Sequence, residues 1–311
     1  MSLAVASMDM FTREEAVKFL TENLNIPNVE QRLKSDRKNL LDEIATNIQT
    51  HLPFQNLKLL SEVPEKRHRP SLDEIKADLM SGIGGLCFNL NIATYFLLKA
   101  AGFKASLAHG TCTSSVIFPD NHVVVYVEDV ETSGDKFLVE VGFGFPTFRA
   151  VSLNFEHESP AFTDSFIEYK YIKYQGKILR MHRKGDLVKS QGPSSVDGLH
   201  FVIDGWRRFY SADTEGTDNV EEFYPPFEQV FTNAKASPFH ASFRVICFPN
   251  KKAVMVINEK TLIENDNGEL VPEAIQSGDD GIIQAVKHHF PIIPEDLARR
   301  ALKNWRQTVQ P

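Results

Sequence analysis

The period of the hydrophobic pattern changes near Gly102, and that change limits the fold more than any other feature of the chain. Before it, apolar residues recur at helical spacing. "NVEQRLKSDRKNLLDEIATNIQTHL" carries Leu33, Leu40, Leu41, Ile44 and Ile48 on one side and stops before Pro53. Thr12 with Glu15, and Ser71 with Glu74, have the separation of a capping box at a helix start. From Leu86 to Ala101 the apolar character runs nearly all round, as in a buried helix, and Gly102 stands where a left-handed C-terminal cap belongs. Beyond Gly102 the runs become β-branched and aromatic. "HVVVYVEDV" and "KFLVEVGFGF", separated by "ETSGD", read as a hairpin. "SFIEYKYIKY", "LHFVIDGWRRFY", "SFRVICF" and "KAVMVI" read as further strands. The C-terminal stretch returns to helix in "DGIIQAVKHHF" and in "PEDLARRALKNW", which opens on Pro294. Helices, then strands, then a mixed end predict an α+β fold rather than a doubly wound parallel sheet.

The net charge of −7 argues against a nucleic-acid partner. The densest basic clusters, "EKRHR" and "MHRKGD", are short and read as solvated loops. No segment approaches the ~18 apolar residues of a membrane span, and the N-terminus lacks the basic region of a signal peptide. Three cysteines, Cys87, Cys112 and Cys247, make no disulfide framework. The expectation is a cytoplasmic, monomeric protein with no membrane association. Neither CxxC nor HxxxH spacing occurs, so no metal is expected. "KGDLVKSQGPSSVDG" reads as an inserted connector of unassigned role.

Cys87 falls in the first turn of the buried helix. Unpaired N–H groups and the positive dipole end there favour an anion, and a thiolate is that anion. Gly84 and Gly85 clear space around the sulfur. A nucleophilic cysteine needs a base, and an imidazole is the usual one. His122 heads a valine-rich strand, and Glu140 stands among apolar neighbours on the next. In an antiparallel hairpin the indices of paired residues have a constant sum. A sum of 262 pairs His122 with Glu140; 264 or 266 slides them apart but keeps both on one face, whereas an odd sum separates them. A carboxylate reaching the imidazole would fix its tautomer and stabilise its charged form. In "GFGFP", glycines permit close approach of a ligand, with Phe143 and Phe145 as an apolar wall; a bulge or turn fits the same residues equally well.

"GGLCFNLN", a histidine heading an apolar strand, and "VEVGFG" together resemble the arylamine N-acetyltransferases. That family carries Gly-Gly-x-Cys-Phe-Glu-x-Asn, a catalytic histidine, and Asp-Val-Gly-Phe-Gly. "HLPFQNLKLL" is similar to its Pro-Phe-Glu-Asn-Leu segment and "ASPFHASFRV" to its Ser-Pro-x-Ser-x-Phe stretch; the likeness runs from about Phe19 to Val245. The resemblance implies three parts: a helical bundle over 1–103, a β-barrel-like domain over 104–225, and an α/β lid over 226–311. It implies Cys87 as nucleophile, His122 as base and Glu140 as the carboxylate member. It also implies ping-pong transfer from acetyl-CoA, or from malonyl- or propionyl-CoA, to an arylamine or hydrazine, with no tightly bound cofactor. For CoA, the resemblance points to Ser237 and Ser242; Arg207 and Arg208 could meet its phosphates or lie on a solvated strand face.

The chain departs from the motif at four positions. Glu140 replaces an aspartate, Asn89 and Gln55 each replace a glutamate, and Ile83 replaces an arginine. In the family the arginine and the glutamate at the Gln55 position look like partners, so their joint absence is coherent: removing one partner of a buried pair costs ~3–5 kcal/mol. Two other readings share the same residues: a thiol hydrolase or transglutaminase-like enzyme, and a catalytically impaired binding protein.

Overall fold

The computed structural model describes residues 9–112, 118–183, 197–199 and 202–309. Most of the "KGDLVKSQGPSSVDG" connector lies outside them. The N-terminal third is helical: α1 (Arg13–Lys18), α2 (Val29–Ser35), α3 (Arg37–His51), a two-residue strand β1 (Phe54–Gln55), then α4 (Leu57–Ser61), α5 (Leu72–Ser81) and α6 (Cys87–Ala101). Both capping boxes form, at Thr12 and at Ser71. Gly102 closes α6 in the left-handed region, with φ +97°. Of the 15 residues of α6, 13 are buried, as its all-round apolar pattern requires.

The middle third is one sheet: β2 (Lys104–Cys112), β3 (His122–Glu128), β4 (Lys136–Val139), β5 (Val151–Ser152), β6 (Phe162–Asp164), β7 (Ile167–Tyr174), β8 (Lys177–His182), β9 (Val202–Ile203) and β10 (Trp206–Asp213). Its order is β5-β4-β3-β2-β10-β8-β7-β6, with β9 paired to β10, a half-barrel wrapped on α6. After α7 (Tyr224–Thr232) come β11 (Arg244–Cys247), β12 (Val254–Ile257), β13 (Lys260–Glu264) and β14 (Leu270–Ala274), then α8 (Gly278–His289) and α9 (Glu295–Val309). The second sheet runs β1-β11-β12-β13-β14, so the helical third supplies its edge strand. The fold is α+β. Among the described residues, no helix is long and apolar enough to cross a membrane.

Some expectations need correction. "LHFVIDGWRRFY" is not one strand: its described part turns at Asp204 and Gly205, both with positive φ, and folds back as β9 and β10. "EKRHR" and "MHRKGD" are not simply solvated loops. Arg67 is buried and bonded to His240, and Met181 and His182 are buried in β8. Arg208 is not on a solvated face. It is fully buried, with its guanidinium forked onto Asp197 at 2.6 and 2.8 Å.

Candidate active site

Three local features place the sulfur of Cys87. Gly84 takes φ +69°, and a Cβ there would lie 1.9 Å from the Pro53 carbonyl oxygen, so only glycine fits. Gly85 donates its N–H to Pro53 O and accepts from Gln55 N–H, tying the segment to β1. Leu86 then caps α6 in extended conformation, with no side-chain cap on the first turn. Cys87 is thus the first residue of the helix, and its first-turn N–H groups have no capping side chain.

β3 and β4 pair Val125 with Val139 and Tyr126 with Leu138. That is an index sum of 264, two more than the register that would set His122 opposite Glu140. The parity is even, so both residues face α6. The His122 Nε2 to Glu140 Oε2 distance is 2.6 Å, with both side chains buried. The other nitrogen, Nδ1, is left to the Cys87 thiol, which hydrogen-bonds the same imidazole. Burial opposes a proton on His122. The Glu140 carboxylate and the bonds to Cys87 and Glu140 outweigh it, and raise the pKa from 6.5 to about 10. Tyr210 and Phe143 flank the imidazole, with ring centres 5.1 and 5.2 Å away.

Asn91 is the member that sequence reasoning missed. Its Nδ2 donates to Glu140 Oε1 at 2.9 Å and to Val123 O at 2.7 Å, while its Oδ1 accepts from Val141 N–H. Gly142 N–H also donates to Glu140 Oε1, at 3.0 Å. Both carboxylate oxygens are therefore engaged. A signal existed: a helix buried all round must satisfy any asparagine it carries. Gly142 packs against Cys87, since a Cβ there would lie 2.9 Å from Cys87 Cα.

Cys87 and His122 open onto a pocket of about 330 Å³ walled by Phe54, Phe143, Phe145 and Phe209. Phe143 and Phe145 line the same pocket as Cys87 and His122. Ser237 and Ser242 do not line this pocket. Ser237 is buried at the start of a short 3-10 helix, and Ser242 hydrogen-bonds Pro238 O and the Arg244 guanidinium. Arg207 stands over Phe209 at 5.3 Å and is half-buried. Among the described residues, no group of three or more His, Cys, Asp or Glu side chains is arranged to hold a metal ion.

The positions that depart from the motif are rebuilt together. Gln55 is buried; its Oε1 accepts from Leu57 and Lys58 N–H, at 2.5 and 3.2 Å. Asn89 donates to Asp78, which pairs with Lys58. Ile83 packs on the second core, with α9 and α8. Asn89, two residues after Cys87, thus reaches the Lys58–Asp78 ion pair.

Residues 39–295 match the family model described as N-acetyltransferase. An uncharacterized acetyltransferase of Bacillus subtilis, YvcN, is 25% identical over 246 residues, covering 76% of this chain and 85% of that protein. The arylamine N-acetyltransferase of Mycobacterium marinum in complex with CoA superposes with a TM-score of 0.70 at 15% identity, over 93% of this chain and 98% of that one. The Mycobacterium tuberculosis arylamine N-acetyltransferase gives 0.69 at 16% identity, over 93% and 99%.

Proposed function

This chain belongs to the arylamine N-acetyltransferase family, a family of acyltransferases, and from that premise we propose that it moves an acyl group from CoA to an arylamine or hydrazine by a ping-pong route. The observation that carries the reading is one chain of contacts. The His122 imidazole lies between the Cys87 thiol and the Glu140 carboxylate, at the wall of an aromatic pocket. In this reading residues 1–103 carry the nucleophile, 104–225 the base and carboxylate, and 226–311 close over them.

In the first half-reaction Cys87 sulfur attacks the thioester carbonyl carbon. The carbonyl π electrons move to oxygen, where first-turn N–H groups of α6 stabilise the oxyanion. Collapse breaks the bond to the CoA sulfur, and His122 gives that sulfur its proton. In the second, the amine nitrogen attacks the acyl carbon and loses a proton to His122. The amide departs and Cys87 leaves as thiolate beside the charged imidazole. Glu140 holds the ring through Nε2 in both halves.

Intact-mass measurement with acetyl-, propionyl- and malonyl-CoA tests the first half. At least one thioester should add its acyl group to Cys87, and Cys87→Ala should abolish the adduct. His122→Gln should slow iodoacetamide alkylation of Cys87 by at least about tenfold. If no thioester labels Cys87, the reading fails. If the adduct discharges to water as fast as to an aniline or hydrazide, the enzyme is a hydrolase instead.

A further inference from the structure

Period-two alternation along β11 sends Val245 and Cys247 into the second core and Arg244 and Ile246 to the catalytic pocket. Phe54, Met255 and Ile257, paired to β11 from either side, complete that face. The face is apolar except for one guanidinium. Arg244 Nε and Nη2 donate to Ser242 Oγ, at 2.9 and 2.6 Å, and the group stands 5.4 Å over Phe239. Among the described residues no carboxylate pairs with it. Arg208, by contrast, is fully buried and carries its own aspartate, whereas Arg244 is half-buried at the pocket wall. Burial alone pushes Arg244 down to about 10, the mark of a cation lacking a counter-charge. A cation in apolar surroundings is costly until paired, and a planar guanidinium pairs best with a carboxylate.

Resting on the acyl-transfer reading, we infer that Arg244 is a carboxylate subsite inside the catalytic pocket, so that one of the two substrates bears an acid on the part seated beside Cys87. The phosphates of CoA do not meet this description. A long pantetheine arm separates them from the thioester, whereas Arg244 shares a pocket of about 330 Å³ with the nucleophile. Two sources of the acid fit: an acyl group such as malonyl, or an acceptor such as an aminobenzoate.

The test has one arm for each source. The donor arm compares labelling of Cys87 by malonyl-CoA and acetyl-CoA. The acceptor arm compares discharge of the acyl enzyme by 4-aminobenzoate and by 4-aminobenzamide. In one arm the acid should be faster by about tenfold or more, the worth of a charge-assisted hydrogen bond. Arg244→Met should bring that ratio near one, and Arg244→Lys should restore part of it. Ratios near one in both arms of the native enzyme, or a ratio unchanged in Arg244→Met, overturn the inference. A third measurement needs neither a variant nor turnover: protection of Cys87 from iodoacetamide by benzoate against benzamide. If no thioester labels Cys87, that comparison decides. Stronger protection by benzoate then keeps the subsite while acyl transfer falls; equal protection ends both.

Discussion

Glu140 is one methylene longer than the aspartate of the family motif, and Asn91 and Gly142 take up the extra reach by holding Oε1 while Oε2 meets His122. The consequence is a buried, charged imidazole. Its folded pKa, about 10, lies above the unfolded value of 6.5. The sign follows directly. The stabilisation is complete below the unfolded pKa and is lost as pH rises through the folded one. Urea denaturation of the native protein should therefore show stability falling between pH ~7 and ~10. Glu140→Gln should remove roughly 3–5 kcal/mol at neutral pH, the cost of orphaning a buried charge, and should flatten that fall. A variant curve parallel to the native one would show that the pair does not govern the titration. The meeting of His122 and Glu140 was readable from strand parity alone. Its exact register was not, because turn geometry sets it, and "ETSGD" leaves the loop length open. Asn91 lay in plain view but carries no periodic signal; only the bookkeeping of buried amides points to it.

At the scale of elements, the placement of Cys87 depends on a backbone path that side chains cannot follow. Gly84 lies in the left-handed region and its missing Cβ leaves room for the Pro53 carbonyl, which in turn accepts from Gly85. Gly134 offers the control: φ +85°, in a hairpin loop, with nothing within 4 Å of its would-be Cβ. Gly134→Ala should cost only backbone strain, about 1–2 kcal/mol. Gly84→Ala adds a collision with fixed backbone, and should cost at least about twice as much and change the rate of Cys87 alkylation. Thermal melts and alkylation of the two variants check this; equal losses would mean that the Pro53 contact is easily relieved. The two capping boxes and the buried helix α6 were legible because helical signals are local. The stretch read as one helix from Asn28 to Leu52, however, breaks at Asp36 into α2 and α3, and α4 and α7 were not foreseen. β2 was not. "KASLAHGTC" is poor in β-branched residues, yet it sits between β3 and β10 in mid-sheet, where partners on both sides decide its conformation. β8, with one lysine and one arginine among its six residues, hid for a different reason: Arg180 is buried among Tyr171, Thr147 and His182, satisfied by hydrogen bonds that no sequence pattern announces.

For the molecule as a whole, the proposed catalytic groups and the opposite wall of the pocket belong to different sheets. Cys87, His122 and Glu140 rest on α6 and the half-barrel; Arg244, Ile246 and Met255 rest on the five-stranded sheet. That second sheet is backed by α4, α8 and α9, and Trp305 of α9 is the large side chain that ties them to β11. Its indole stands 6.0 Å from Phe243 and donates to Ala241 O at 3.1 Å, within the segment that leads into Ser242 and Arg244. Trp305→Ala removes a buried indole and should cost about 3–5 kcal/mol. Trp305→Phe keeps most of the packing and should lose about 1 kcal/mol with the hydrogen bond. Because Trp305 acts on one wall and not on the nucleophile, the acceptor KM should rise in Trp305→Ala while iodoacetamide still finds Cys87 at close to the native rate. Steady-state kinetics and alkylation, both run well below the melting temperature, separate the two effects. A fall in Cys87 reactivity matching the rise in KM would mean that the two sheets move as one body and that the pocket has no independently adjustable wall.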